Sequence, residues 1–528
     1  MAGTPMNMAD VVLAPPLARG QHDDVAILCG DEAVTYAQLD ERANRAGNAL
    51  AALGVKPDDR VLLVVVDRPI FFYAYLGLLK IGAVPCALNL RLSIDDLAYT
   101  FADSGAPIVL ADQDFVPACA QAIAKMAGVK PRLIVAHGDV AGYESLAPLM
   151  QAASPALTSV QRSPDAPGFW MYSSGTTGKP KGVVHAQRTV YAAPAVYDTL
   201  MGVTKGDRLF CSSKLFFAYP LGAMMFAALQ LGATVVLFPG WPDAKAIAEV
   251  VERHLPTIVM SVPTFYRNML RDGVASLPGF KSVRHFMSAG EKLPLSLFDL
   301  WKEHTGRAIF DGIGATETCF LSISNRPDRM KPGTCGVPTP GTEVKLLAED
   351  GSLVTRPNEP GVLWVKLIAV ANGYWNLDAQ TERVFKDRWY CTNDMFTFDA
   401  DGFYEYQGRA DDMLKISGQW VSPAEIEEHV LKHPKVSEAA VVGVPNDEGL
   451  VRLALFMVAP QISVQPVPER QMFEKELQDT LVASLSIYKC PRRVFYVDSM
   501  PVTATGKLQR YALRQIAVQQ GAFSEDRV

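Results

Sequence analysis

The sequence predicts an α/β fold: a large N-terminal domain of layered α/β subdomains with a β-rich subdomain, then a small α+β C-terminal domain. Three observations carry this. Short β-rich runs at 60–66, 108–111, 133–136, 234–238 and 257–261 alternate with stretches of helical periodicity, and such alternation builds layers of helix and sheet. Between about 341 and 406 the pattern changes to short strands and turns, with Glu349-Asp350-Gly351 and Asp399-Ala400-Asp401-Gly402 as turn signals. After Gly408-Arg409-Ala410-Asp411-Asp412 comes a compact α+β pattern, with Pro423 opening a helix over 424–431 and an apolar strand over 439–444. The expected domains are therefore 1–410 and 411–528, and the Pro-rich stretch 460–468 reads as a surface loop.

Composition narrows the function classes. The 528 residues, 49% hydrophobic and 20% charged, allow roughly three or four domain-sized units. A formal net charge of -6 gives no long-range attraction to nucleic acid or to an anionic membrane. Small-molecule partners are favoured. The eight cysteines form no CxxC pair and show no zinc spacing, so they read as thiols in a reducing compartment. No basic start followed by an apolar core and a small-residue cleavage site opens the chain, which predicts a cytoplasmic protein. The apolar stretch 220–240 is nearly long enough to span a bilayer. Gln230, Thr234 and internal glycines interrupt it, so it reads as a buried helix over 221–229, a turn at Gly232 and a strand over 234–238.

Chemistry concentrates in Tyr172-Ser173-Ser174-Gly175-Thr176-Thr177-Gly178-Lys179-Pro180-Lys181-Gly182. Glycines let backbone N–H groups converge on an anion, hydroxyls add donors, and lysines add positive charge. Alone, such a Ser/Thr/Gly run is more often a flexible surface loop. It does not fit a Walker A loop: two residues rather than four separate the glycines, and Pro180 follows Lys179.

This segment resembles the signature of the adenylate-forming superfamily, which comprises acyl-CoA synthetases, adenylation domains of peptide synthetases and luciferases. Further segments resemble that family's motifs in the family's order: Thr35-Tyr36 through Leu39; Leu79-Lys80-Ile81-Gly82-Ala83-Val84-Pro85; Ser288-Ala289-Gly290-Glu291; and Asp311-Gly312-Ile313-Gly314-Ala315-Thr316-Glu317. Thr392-Asn393-Asp394, the run from Gly408 through Lys415 to Gly418, and Pro501-Val502-Thr503-Ala504-Thr505-Gly506-Lys507 follow. The resemblance thus spans most of the chain.

It implies an ATP-dependent ligase that makes an acyl-AMP from a carboxylic acid and then an acyl-CoA, with Mg2+ beside ATP and coenzyme A as co-substrate. Ser173, Ser174, Gly175, Thr176, Thr177, Gly178 and Lys181 would cradle phosphate. Ala289, Gly290, Glu291, Asp311, Gly312, Ile313 and Gly314 would line the adenine end. Magnesium prefers hard oxygen ligands, a role implied for Glu317 and Thr176, with the Thr176 or Thr316 hydroxyl beside the phosphates. Asp394 and Arg409 would hold the ribose. Lys507 would bridge carboxylate and α-phosphate, where a positioned ammonium lowers the repulsion of two anions. By the same resemblance the C-terminal domain is mobile, Asp411 is its hinge, Gly418 lies where the pantetheine arm approaches, and Lys415 touches phosphate or coenzyme A.

The stretch Lys214-Leu215-Phe216-Phe217-Ala218-Tyr219-Pro220-Leu221-Gly222 resembles the acyl pocket of benzoate-CoA ligases, and the run from Asn325-Arg326-Pro327 to Gly333-Thr334 fits that branch. Phe217, Ala218, Tyr219, Gly222, Gly314 and Phe320 would make a flat apolar slot for a ring. Two departures stand out: Pro220 where that branch has glycine, and Phe320 where it has histidine. Benzoate, a substituted benzoate, another aryl acid, an alicyclic or a medium-chain acid all remain open. So do a stand-alone adenylation enzyme that loads a carrier protein, a luciferase-like oxidation, a non-catalytic nucleotide-binding protein and a homodimeric assembly.

Overall fold

The computed structural model describes residues 4–174, 179–416, 419–446, 450–502 and 508–523. Gly175, Thr176, Thr177, Gly178, Gly418 and Lys507 lie outside the described residues, as do the side chains of Ser174 and Lys415.

Two large α/β sheets carry most of the chain. In the first, Ile309–Gly314, His285–Ser288, Ile258–Ser261, Arg208–Cys211, Thr234–Leu237 and Val25–Cys29 lie side by side and parallel. Glu32–Thr35 closes one edge antiparallel, and Leu321–Ser324 with Val337–Pro338 closes the other. A sheet covered on both faces suits short strands such as Ile258–Ser261, whose four residues are all buried. The connecting helices Ala244–His254, Pro263–Arg271 and Leu295–Thr305 pack Tyr266, Phe280, Phe286 and Trp301 into one core. The first starts where Asp243 accepts a hydrogen bond from Ala246 N at 2.8 Å, as an N-cap aspartate should.

The second sheet runs in the order Gly373–Tyr374, Pro180–Ala186, Pro167–Ser174, Val84–Ala87, Arg60–Val64, Ile108–Ala111, Arg132–Val135, Glu144–Ser145. The helix Pro69–Lys80 is buried at every residue but Ile70, which fits a surface apolar on nearly every side; its one charged residue, Lys80, donates to Asp40 and Asn44. It meets the helix Tyr36–Ala52 almost backbone to backbone: a Cβ on Gly47 would lie 2.8 Å from Gly77 O, and one on Gly77 would lie 2.6 Å from Gly47 N. Only glycine at both positions permits that approach.

The apolar stretch 220–240 is buried in this unit as read, with one difference. Helix runs from Ala218 to Leu231, but Leu221–Ala228 is π-helical. Its eight residues are all buried and apolar or glycine, so no polar face marks the period and the wider turn leaves no trace in the sequence. Among the described residues, no helix is long and apolar enough to cross a membrane.

Between 341 and 406 the expected short strands are present, including Glu343–Leu347, Gly361–Lys366 and Trp389–Phe398, with left-handed glycines at the turns of Gly351 and Gly402. The helix expected over 424–431 is Pro423–Val430, and the strand expected over 439–444 is Glu438–Pro445. Strands Glu438–Pro445 and Val451–Val458 alternate strictly. Val441, Leu453, Leu455 and Met457 face one core, while Ala440, Val442, Ala454 and Phe456 face another, the period of two expected of a sheet covered on both sides.

The 460–468 stretch is not the loop its prolines suggest. It holds a short helix, Pro460–Ser463, and the start of a long one, Val467–Ser484. Pro460 and Pro468 occupy first-turn positions, where the missing N–H costs nothing and the fixed φ favours helix. The chain divides into two compact units, one of residues 1–345, 364–392 and 400–404, the other of 346–363, 393–399 and 405–528. Their bounds differ from the expected 1–410 and 411–528, because pieces of the β-rich stretch group with the C-terminal residues.

Candidate active site

Parallel α/β sheets place their ligands at the carboxyl ends of their strands, and there the first sheet carries a polar row. Ser261 is the register partner of Ser288, and Ser288 of Asp311. Ser212, just past its strand, shares a 2.7 Å hydrogen bond with Ser261. All four are buried. Burial pushes the Asp311 carboxyl up to about 8, an effect the Ser288 hydroxyl and the Gly312 N–H only partly offset. Neither Asp311 Oδ1 nor Ser288 Oγ has a hydrogen bond of ordinary geometry among the described residues.

Beyond Asp311 the strand rises out of the core: Gly312 is buried, Ile313 half-buried and Gly314 exposed. Both glycines answer to close neighbours. A Cβ on Gly312 would lie 2.7 Å from Ser324 Oγ, and one on Gly314 2.5 Å from Phe320 O. On the neighbouring strand end, Ala289 is buried and Gly290 left-handed. Glu291 turns its carboxylate onto the helix Pro263–Arg271, accepting from Thr264 N at 3.1 Å and Thr264 Oγ1 at 2.7 Å.

The segment expected to hold phosphate joins two antiparallel strands whose register sets Ser173 opposite Lys181 and Tyr172 opposite Gly182. Ser173 Oγ is buried with no hydrogen-bond partner among the described residues. Lys181 Nζ lies 4.3 Å from the ring centroid of Tyr374, a cation–π contact. Tyr374 reaches this point because Gly373–Tyr374 pairs with the strand that carries Lys181. Its hydroxyl donates to Glu317 Oε1 at 2.7 Å in a buried contact.

The backbone beside Glu317 is held as well. His185 Nε2 lies 2.8 Å from Thr316 O, its ring stacked on Phe169 with centroids 4.5 Å apart. Burial holds His185 down at about 4, so the ring is neutral near pH 7 and Nε2 is the atom that donates. Ala371 N donates to Glu317 O at 2.9 Å. Glu317, Thr316 and Lys181 are thus brought into one cluster with Tyr374 and His185.

Of the residues expected to hold the acid, Gly222 and Gly314 both meet Phe320. A Cβ on Gly222 would lie 2.8 Å from Phe320 Cδ1 and 3.0 Å from Cys319 O, so the π-helical turn presses directly on Phe320. Phe320 is fully buried, 6.2 Å edge-on from Tyr197. Phe216 and Phe217 pack at 4.5 Å. The loop that carries them is anchored by Asp67, which accepts from Leu215 N at 3.2 Å and faces Lys214 Nζ at 3.6 Å, while Lys214 donates to Phe238 O at 2.6 Å. Burial raises the Asp67 carboxyl to about 6 and lowers Lys214.

In the second unit, Asp394 and Arg409 form a pair, with Arg409 Nη1 donating to Asp394 Oδ1 at 2.9 Å and Ala410 N donating to Asn393 O at 2.8 Å. Asp411 is exposed in a turn. Asp412 faces Arg510 at 3.4 Å, and Arg510 grips Glu427 through both Nη atoms at 2.5 and 3.0 Å. Tyr374, His185, Asp67 and Tyr197 are absent from the sequence-derived site. Each acts across a long sequence separation and carries no local spacing signal.

Residues 17–375 match the family model described as AMP-binding enzyme, and residues 425–507 match its companion, AMP-binding enzyme C-terminal domain. A 3-hydroxybenzoate-CoA ligase of Aromatoleum sp. (strain CIB) is 44% identical over 97% of this chain and 97% of its own. A benzoate-CoA ligase of Thauera aromatica is 37% identical over 96% of this chain and 95% of its own. Among solved structures, the anthranilate CoA ligase AuaEII in complex with anthranoyl-AMP superposes with a TM-score of 0.88 at 32% identity, covering 98% of this chain and 99% of that one. The resemblance read from the motifs agrees with these matches over nearly the whole length, and the chain belongs to the AMP-binding enzyme family.

Proposed function

We propose that the protein activates an aryl carboxylic acid with ATP, forming an acyl-adenylate and pyrophosphate, and then transfers the acyl group to the thiol of coenzyme A. One observation supports this above the others. A buried glutamate, Glu317, is oriented by the Tyr374 hydroxyl beside Lys181, and Phe320, three residues further on, rests against Gly222 of the stretch expected to hold the acid.

The chain's own groups divide the work. Ser173, Ser174, Lys181 and the loop 175–178 hold the phosphates, and Lys507 neutralises the approach of carboxylate to α-phosphate. Asp394 accepts from the ribose hydroxyls while Arg409 donates to the same sugar. Ala289 to Glu291 and Asp311 to Gly314 flank the base. Phe217, Ala218, Tyr219, Gly222, Gly314 and Phe320 hold the acid. Glu317 is a fitting ligand for Mg2+, which commonly takes one or two carboxylates with the rest from substrate phosphates and water. Among the described residues, no group of three or more His, Cys, Asp or Glu forms a self-sufficient metal cage, so the ion would arrive with ATP. When bound it withdraws charge from the phosphates. After adenylation, residues beyond the hinge at Asp411 turn so that Lys507 leaves and Gly418 opens a path for the pantetheine thiol. ATP and coenzyme A as co-substrates fit a cytoplasmic setting.

The test is to mix the purified protein with ATP, Mg2+ and a panel of aryl, alicyclic and medium-chain acids, with and without coenzyme A. Pyrophosphate release with an aryl acid, followed by its CoA thioester, is the expected result. Release only with non-aromatic acids, or with none, would overturn the reading.

A further inference from the structure

Two buried phenol hydroxyls have no task of their own in the reaction above. Tyr197 is completely buried on the helix Ala193–Met201, and its hydroxyl has no hydrogen-bond partner among the described residues. The hydroxyl of Tyr219, in the first turn of the helix that begins at Ala218, is likewise buried and without a partner there. The two belong to one neighbourhood: Tyr219 lies within electrostatic reach of Tyr197 and Asp311, and the Tyr197 ring meets Phe320 edge-on at 6.2 Å. Phe320 in turn rests on Gly222. A buried hydroxyl without a partner costs about 1 to 3 kcal/mol. Phenylalanine would fill either place without that cost, so two such phenols beside one slot call for an explanation.

We propose that Tyr197, acting with Tyr219, is a specificity-determining residue that hydrogen-bonds a hydroxyl substituent on the ring of the acid; this rests on the reading of the protein as an aryl-acid ligase. A phenol is both donor and acceptor. Burial pushes both tyrosines well above their ordinary titration range, so each stays neutral and pairs with a neutral hydroxyl. Phe320, which the Tyr197 ring meets, and its neighbour Cys319 are both buried, and apolar surroundings disfavour a second charged group. An acid lacking the hydroxyl leaves the phenols unmet, and a site built around such a bond rejects the analogue without it far more strongly than an apolar pocket rejects a missing methylene.

The experiment measures kcat/KM from pyrophosphate release for benzoate and for 2-, 3- and 4-hydroxybenzoate, with the full-length wild type, Tyr197→Phe and Tyr219→Phe. The wild type should favour at least one hydroxybenzoate over benzoate by about tenfold or more, and Tyr197→Phe should shrink that ratio by about tenfold. A merely structural tyrosine would lower both values together. An unchanged ratio in a folded Tyr197→Phe, or a wild type that does not distinguish the acids, overturns the inference while leaving the ligase reading intact. The wild-type ratio decides even if the variant fails to fold. A wild type that releases pyrophosphate with no aryl acid overturns the ligase reading and this inference with it.

Discussion

The hydroxyl of Tyr374 donates to Glu317 Oε1 at 2.7 Å, while Lys181 Nζ sits 4.3 Å from the centre of the same ring. One tyrosine thereby connects the strand after the phosphate loop to the glutamate 57 residues before it. Hydrogen bonds to charged groups are worth about 1.5 to 3 kcal/mol, enough to hold a carboxylate in one orientation.

Tyr374→Phe keeps the ring beneath Lys181 and removes only that donor. The expected result is a roughly ten- to hundredfold fall in the rate of acid-dependent pyrophosphate release, with a rise in the Mg2+ concentration needed for half-maximal rate. Magnesium titrations of both proteins decide it. An unaltered metal dependence would reduce Tyr374 to a packing residue.

Asp311 makes a prediction about pH. Its carboxyl titrates at about 8 when folded against an ordinary value of 3.8, with burial as the leading cause. Because the folded value is the higher one, the stabilising contribution of the protonated form is complete below about pH 4 and is lost as pH rises through 8. Asp311→Asn keeps the shape and does not titrate. Unfolding free energies from urea titration should therefore decline in the wild type relative to the variant by roughly 1.4 kcal/mol per pH unit across that window, and level off above it. Parallel profiles would mean that Asp311 is ionised in the folded protein.

Gly222 and Phe320 should behave as opposed halves of one contact. Gly222→Ala pushes a methyl to within 2.8 Å of the Phe320 ring and should narrow the slot. Phe320→Ala should widen it and reorder the ranking of ring-substituted acids, since a single group in such a pocket is worth about 1 to 3 kcal/mol. The double variant should recover part of what Gly222→Ala loses. Steady-state kinetics over a series of substituted benzoates measures all three, and an unchanged ranking in active Phe320→Ala would remove that residue from the pocket.

Variants at Lys507 and Gly418 test the proposed division into two half-reactions. Lys507→Ala should slow adenylation at least about a hundredfold, near 3 kcal/mol, while sparing thioester formation from preformed acyl-adenylate. Gly418→Leu should retain adenylation and obstruct the thiol. Equal impairment of both steps in each variant would refute the domain rotation.

What the sequence determined by itself is what is written contiguously. The run from Tyr172 to Gly182 and that from Asp311 to Glu317 carry their chemistry in neighbouring residues, and the strand alternation from Glu438 to Val458 carries its burial in a period of two. The stretch 460–468 reads as a loop because prolines in a first helical turn and prolines in a loop look alike along the chain, yet it holds one short helix and the start of another. Tertiary structure alone decided the supports of the site. His185 meets Thr316 across 131 residues, Tyr374 meets Glu317 across 57, and Asp67 meets Leu215 across 148. Such bonds depend on which strands a sheet sets side by side. That order follows from packing two layers around a shared core, so no spacing within any one segment records it.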